Sequence, residues 1–436
     1  MGNVQTVGLD FFPLDEELEL LPGNLTPHGH ECLVRLGAWI PSFEQAAQLL
    51  ATMLQINVSE AMSRRRTEAA GAAYVAVQQA EVERLEREMP VSPGGADKVL
   101  VSADGAMVPL VGGEWREVKT VAIGDIEPAT PQKGEGLVTT TNLSYFSRLA
   151  EASDFNRLAL GELHRRGVEH ARLVAAPNDG AEWIQGFIDY HCPQAIRILD
   201  FAHAAQRIAG VGQVIFDPAE AQAQAWLAQH LHHLKHQGPQ ELLTELRHLH
   251  TSHPDETILA DNLTYLEKRE PQMQYPHFQA QGLPIGSGAI ESANKLVVEA
   301  RLKGAGMHWA PDHVNPMLAL RNLVCNDRWE QEWPLIAVRL RQEAAQRRRT
   351  LKEKHRAQKA TSAAPPVPTT TPPQPPQVKP TATRSQPVAP INAPPSSPVP
   401  PSERPPYRPA PHHPWRRSPI GRARYRPDTP NKFSKN

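Results

Sequence analysis

At 436 residues the chain is long enough for two or three domains, and 46 basic against 47 acidic residues leave no bulk charge from which a polyanionic partner would follow. Three widely spaced cysteines (Cys32, Cys192, Cys325) suit a reducing compartment and exclude a disulfide framework or a cysteine-based zinc site. No apolar run reaches membrane-spanning length and Met1 leads into polar residues rather than a signal sequence, so a soluble cytoplasmic protein with no membrane partner is expected.

The chain begins with an acidic, Leu-rich segment, FFPLDEELELLPG, bounded by Pro and Gly. Apolar spacing near 3.6 and good helix formers then predict helices over SFEQAAQLLATML and SEAMSRRRTEAAGAAYVAVQQAEVERLEREM. QINVSEA is the turn between them, with Ser59 as cap of the second helix. Residues 1–92 thus have a helix-turn-helix layout, with Arg64, Arg65 and Arg66 on the element that would meet DNA. A plain helical hairpin with a solvated basic turn gives the same pattern.

Beyond the linker PVSPGGAD, residues 97–216 read as strands and helices of a mixed α/β sheet. KVLVSAD running into GAMVPL, WREVKTVAIGDI and LVTTTNLSYF are the first three strands, expected as an antiparallel meander. The helix DFNRLALGELHRRG, the strand ARLVAAP, the helix AEWIQGFIDYHC, the strand AIRILD and the helix FAHAAQRIAGVG follow. Residues 217–282 are a His-, Gln- and Leu-rich helical insertion; His232, His233 and His236 have helical spacing but fit a solvated face better than a metal site. Residues 283–350 resume the core, with Ser287 as N-cap of a helix bearing Glu291 and ending at Gly304 and Gly306, then one or two closing helices. Residues 351–436 hold 15 Lys and Arg against 3 Asp and Glu and, from about Ala360, more than half of all the prolines; such a segment cannot bury a core and reads as a disordered tail. Its arginines, with Tyr407, Trp415 and Tyr425, suit phosphates and bases, or serve only solubility.

Three carboxylates stand where this order of elements would gather them: Asp104 at the end of the first strand, Asp179 after the fourth, and Glu291 on the helix beyond the insertion. Hard oxygen ligands converging in this way suit Mg²⁺ or Mn²⁺, and a pair of such ions serves in-line phosphoryl transfer. Taken singly, Asp104-Gly105 is also a good hairpin turn, and Asp179-Gly180 before a helix is also a cap.

The series SADGAMVPL…WREVKT, APNDGAEWIQ, ILDFAHA and GSGAIESANK…RLKGAGMHW resembles the DDE-type transposases of bacterial insertion sequences, in particular the ISKra-type branch. The similarity runs from FFPLDEELELLPG to HPWRR, nearly the whole chain. It implies an RNase H-like, five-stranded catalytic core and a metal-binding triad of Asp104, Asp179 and Glu291. Asp200 is the rival second aspartate, because Asp200-Phe-Ala-His203 matches the C/D-x-x-H signature of related groups; Asp200 and His203 are otherwise supporting residues. Lys295, Arg301 and Lys303 are expected on the DNA backbone, and Trp309 either stacks on a base or packs in the core. Relatives of this type carry paired cysteines ahead of the FFPLDE segment; none stand in this sequence. The implied activity is transposition: binding of terminal inverted repeats, metal-dependent cleavage and strand transfer, in a homo-oligomer associated with the bacterial nucleoid. A structure-specific nuclease and an inactive, DNA-binding derivative are the alternatives.

Overall fold

The structure is a computed structural model that describes Leu21 and residues 25–128, 130–132, 135–216 and 221–362. Nearly all of FFPLDEELELLPG, and the Pro-rich tail with Tyr407, Trp415 and Tyr425, lie outside the described residues. Three helices come first: α1 (Pro27–Trp39), α2 (Phe43–Leu54) and α3 (Glu60–Glu88). Ser59 caps α3 as expected, its hydroxyl accepting the Met62 N–H at 3.2 Å. α3 is more than the second half of a hairpin, because its buried Ala70, Ala73 and Tyr74 continue into the core beside Leu320, Trp329 and Trp333, about 250 residues further along the chain. Gly71 is the point of closest approach, where a Cβ would overlap the Pro316 carbonyl.

The sheet contains β1 (Lys98–Pro109), β2 (Trp115–Ile126), β5 (Thr140–Arg148), β6 (Leu173–Asn178) and β7 (Ile196–Leu199), in the order β5-β2-β1-β6-β7. The first three are an antiparallel meander, while β6 and β7 run parallel to β1. A short pair, β3 (Thr130–Gln132) and β4 (Glu135–Leu137), lies between β2 and β5. α4 (Ala152–Arg165) and α5 (Glu182–His191) cover one face, where odd-numbered Val99, Val101, Val121 and Ile123 meet Phe155 and Phe187. On the other face Ala106, Val108, Val118 and Ala122 meet a helical stretch made of α11 (Gly288–Ala293), a π-helical turn (Asn294–Glu299) and α12 (Ala300–Leu302), with α13 (Pro311–Cys325) behind it. This division is the period-two alternation of a sheet covered on both sides.

α6 (Phe201–Ile215) follows β7, and the insertion supplies α7 (Ala221–Gln237), α8 (Gln240–Ser252), α9 (Thr257–Lys268) and α10 (Tyr275–Ala280). Their Leu242, Leu246, Leu259 and Leu266 share a core with Leu100, Ala175 and Ile198 of the sheet. The closing helix α14 (Trp329–Ser362) outlasts residue 350, where the tail was expected to begin. β5 is an edge strand, and α13 covers its exposed backbone with amides: Asn326 donates to Tyr145 O at 2.9 Å and accepts from Tyr145 N at 2.8 Å, and Asn315 does the same for Leu149 at 3.0 and 2.8 Å. An amide side chain offers donor and acceptor together, so it stands in for a neighbouring strand. No helix among the described residues is long and apolar enough to cross a membrane.

Two histidines make the fold sensitive to acid. His191 at the end of α5 is held down to about 4 by burial, and its ring nitrogen bonds the Asn156 carbonyl at 2.8 Å. His30 is held to about 4 by burial and then by the charge of Arg66. Both folded values lie below the unfolded one, so the unfolded chain binds more protons between about pH 6.5 and 4 and stability falls with pH across that window. Each should cost about 2 kcal/mol by pH 5. Thermal melts of wild type and His191→Gln should therefore converge as the pH is lowered from 7 to 5; parallel curves would show that His191 does not contribute.

Candidate active site

The site lies where β1 and β6 part. The parallel ladder between them runs only from Lys98↔Leu173 to Leu100↔Ala175. Beyond it the gap is spanned by side chains. Buried Asn178 accepts the Ala103 N–H at 2.6 Å and donates to Ala176 O at 3.1 Å, and Ser102 Oγ donates to Pro177 O at 2.5 Å. The next residue on each strand beyond this bridge is an aspartate, Asp104 on β1 and Asp179 past β6.

Asp104 is not at a strand end, as expected from the sequence, nor in a turn. β1 continues to Pro109 with Asp104 opposite Thr120 and Gly105 opposite Lys119, and the hairpin turn falls at Gly112 and Gly113, both with positive φ. A Cβ at Gly105 would overlap Glu117, so the Asp-Gly pair serves close packing in mid-strand. Asp104 Oδ1 accepts its own neighbour's N–H (Gly105, 2.7 Å) and Oδ2 accepts Asn294 Nδ2 at 2.8 Å. Burial lifts the Asp104 carboxyl above the usual carboxylate range and the charge of Asp179 adds to the rise, against the Gly105 and Asn294 hydrogen bonds and the charge of His203. Asp104, Asp179 and His203 therefore face one another electrostatically.

Asp179 is half-buried, and Oδ1 accepts the Ala181 N–H at 2.8 Å, an Asx turn ahead of α5. Its peptide is held from the insertion. The Tyr265 hydroxyl donates to Asp179 O, and Arg269 Nη2 donates to Gly180 O at 2.5 Å. Nothing in the pattern of residues 217–282 marked Tyr265 or Arg269. Asn178 did leave a trace, as a polar residue closing an apolar strand.

Glu291 is exposed, and its carboxylate makes no hydrogen bond or ion pair among the described residues. It stands three residues before Asn294, so it occupies the helix face that touches Asp104, about one turn away. The helix does not run on regularly from here; Asn294–Glu299 is a π turn, a local widening that often marks functional sites. Asn294 is buried and its Oδ1 has no hydrogen-bond partner.

The rival, Asp200, is almost completely buried and its acceptors are committed. Oδ1 takes the Ala202 and His203 N–H groups at 2.5 and 3.3 Å, capping α6, while Oδ2 takes the Ser287 N–H at 2.7 Å and the Ser287 hydroxyl. Ser287 thus spends its hydroxyl on Asp200 instead of capping the Glu291 helix as expected. Asp200 fixes where that helix starts, and it is a positioning residue.

The basic residues divide. Arg64 and Arg65 are exposed on α3, and Arg66 is half-buried beside His30. Lys295 is exposed, and Lys303 is exposed and paired with Glu299 at 2.9 Å. Arg301, expected on the DNA backbone, is instead wholly buried between Phe43 and Trp309 and donates to Gly37 O at 3.1 Å; burial lowers its pKa to about 10. With Arg321, which donates to Ala38 O at 3.2 Å, it ties the C-terminal end of α1 to the Glu291 helix, where cations complement the helix dipole. Trp309 is core, buried against Phe43, with Nε1 donating to Leu302 O at 3.1 Å; it is not available to a base.

Among the described residues no three His, Cys, Asp or Glu side chains stand close enough to hold one ion: Asp104 feels the charge of Asp179, Glu291 stays a turn from the residue that touches Asp104, and the insertion histidines form pairs such as His232–His236. The donor set nonetheless fits a hard divalent cation. It is all oxygen, Asp104 is desolvated beside a second carboxylate, and Asn294 Oδ1 is unclaimed. A cavity of about 580 Å³ between α3, α4, α13 and α14, lined by the Glu162–Arg328 and Arg165–Glu332 ion pairs, is a separate feature. No protein-family model matches the chain, and no curated protein matches it.

Because the Asp104 carboxyl is raised, ionising it at neutral pH costs stability; that cost is absent at low pH and appears as pH rises through the folded pKa. In metal-free buffer at pH 7, Asp104→Asn should raise the melting temperature by about 2–4 °C, and the gain should vanish on acidification. An unchanged or lower melting point at pH 7 would contradict the cost of ionising Asp104 in its buried place beside Asp179.

Proposed function

We propose that the chain is a transposase of the DDE kind, binding the terminal inverted repeats of a bacterial insertion sequence and catalysing metal-dependent DNA cleavage and strand transfer. The observation that carries this reading is the Asp104–Asp179 pair at the fork of β1 and β6, with Glu291 one helical turn from the residue that touches Asp104. Support also comes from the strand order β5-β2-β1-β6-β7, with three antiparallel strands and two parallel ones, the arrangement expected of an RNase H-like core. A helical block between the last strand and the Glu291 helix fits the same reading.

Asp104, Asp179 and Glu291, with Asn294 beside them, would hold Mg²⁺ or Mn²⁺. Bound there, such ions activate a water or a 3′-hydroxyl and stabilise the leaving oxygen of an in-line displacement. The chain's own residues set the geometry. Asn178 fixes the spacing of the two strands, Asp200 and Ser287 fix the origin of the Glu291 helix, and His203 lies near enough to Asp104 to offset charge. Of the residues expected on DNA, Lys295 and Lys303, and Arg64 and Arg65 on α3, are exposed and able to face a phosphate backbone. Joining two element ends calls for a homo-oligomer, and such an enzyme works on DNA in the cytoplasm, at the nucleoid.

Asp104→Ala, Asp179→Ala and Glu291→Ala should each lower cleavage of a labelled element-end duplex by about a hundredfold or more while leaving its binding intact. Asp200→Ala should lower the melting temperature instead, by removing a buried cap and clamp. Cleavage that survives loss of Asp179 would refute the assignment. Cleavage with no joined product and no preference for the ends would leave a structure-specific nuclease, and binding without cleavage in either metal would leave a DNA-binding derivative.

A further inference from the structure

The insertion reaches the site through one aromatic ring. Tyr265 on α9 lies between two guanidinium groups, Arg269 with its carbon 3.8 Å from the ring centroid and Arg207 of α6 at 4.2 Å. On the inner side, Arg269 is buried and its place is crowded. Gly180 has φ +82°, and a Cβ there would overlap the Arg269 side chain, so the loop after Asp179 and the arginine are packed without slack. Through Tyr265 and Arg269 the insertion grips the two consecutive carbonyls of Asp179 and Gly180.

Arg207 is not needed for that grip. It is exposed, its hydrogen bonds are to Asn262 Oδ1 at 3.4 Å and to the side chain of Tyr265, and it has no carboxylate in ion-pair range among the described residues. Most of its five donors are therefore uncommitted, while its plane is set by the ring beneath it. It follows His203 by one turn of α6, on the face turned to Asp104 and Asp179. A polyanionic strand entering beside two carboxylates meets repulsion, and a preset guanidinium next to them is the group that offsets it.

We propose that the Arg207–Tyr265–Arg269 stack is a substrate clamp: Arg207 takes a backbone phosphate of the DNA strand at the Asp104–Asp179 pair, and Tyr265 is the positioning residue that holds the Asp179 peptide from the insertion. The inference rests on the nucleic-acid reading of the site and adds to it which residues read the strand and how the insertion is tied to the second carboxylate. Because Arg207 is exposed and Tyr265→Phe keeps the stacked ring, both variants should fold.

The test uses the full chain and a fluorescein-labelled duplex carrying the inverted repeats that flank its coding region. Anisotropy is followed against KCl in EDTA, and cleavage against Mn²⁺ concentration. Arg207→Ala should weaken binding about tenfold and reduce the slope of log affinity against log salt by about one, whereas Arg207→Lys should keep the slope. Tyr265→Phe should keep the affinity, the slope and the melting temperature, yet raise the Mn²⁺ concentration for half-maximal cleavage several-fold and lower the maximal rate about tenfold. A wild-type salt slope in Arg207→Ala, or wild-type Mn²⁺ dependence in Tyr265→Phe, overturns the clamp while wild-type cleavage leaves the transposase reading standing. A wild-type chain that neither binds nor cleaves the duplex overturns that reading and the clamp with it.

Discussion

Two strands that pair for three residues and then separate would normally leave open backbone and let their ends drift. Here the buried amide of Asn178 and the hydroxyl of Ser102 take over where the ladder stops, so β1 and β6 stay in a fixed relation while their next residues emerge on the surface. Those residues are Asp104 and Asp179, and the bridge keeps two like charges closer than solvent would leave them. Burial, and after it the charge of Asp179, lifts the Asp104 carboxyl there. Other contacts around the fork act on it in turn: Asn294 steadies Asp104 from the helix above, Tyr265 and Arg269 hold the Asp179 peptide from the insertion, and Asp200 pins the start of the Glu291 helix.

Most of the sheet was legible in the sequence because alternation and β-branched runs are local signals. WREVKTVAIGDI is β2 to the residue, and the antiparallel meander opening a mixed sheet was readable from element order alone. The position of Asp104 within its strand was not legible, since Asp-Gly is a turn signal until a twelve-residue strand is seen to run through it. The helix after Ser287 was read as regular, but the π turn, whose Val297 and Val298 pack with residues of β1 and α13, leaves no mark in composition. Arg301 misled for a related reason. In RLKGAGMHW a basic and aromatic cluster resembles a nucleic-acid surface, whereas the fold turns Arg301 inward onto Gly37 O at the end of α1 and packs Trp309 against Phe43, the core placement that was its other reading.

Amides and buried cations carry much of this architecture. Asn178, Asn315 and Asn326 each substitute for a missing backbone partner, using a donor and an acceptor on one short side chain, and Asn294 fixes a neighbouring carboxylate with its donor alone. Arg301 and Arg321 satisfy the last carbonyls of α1, which links the N-terminal helices rigidly to the helix bearing Glu291. A polar residue in the sequence therefore announced a site or a strut with equal force. What separates them is whether the atoms have anything left to bind.

That criterion sorts the four acidic candidates. Asp200 accepts from Ala202, His203 and twice from Ser287, so a cation could reach its oxygens only by breaking the caps that hold α6 and the Glu291 helix. Asp179 spends one oxygen on Ala181, Asp104 accepts one short hydrogen bond on each oxygen, and Glu291 spends none. The spare lone pairs of the two aspartates and the unclaimed Asn294 oxygen lie at the fork, and Arg207 stacks on the Tyr265 ring whose hydroxyl holds Asp179 O. The cavity of about 580 Å³ lies instead among side chains already paired with one another.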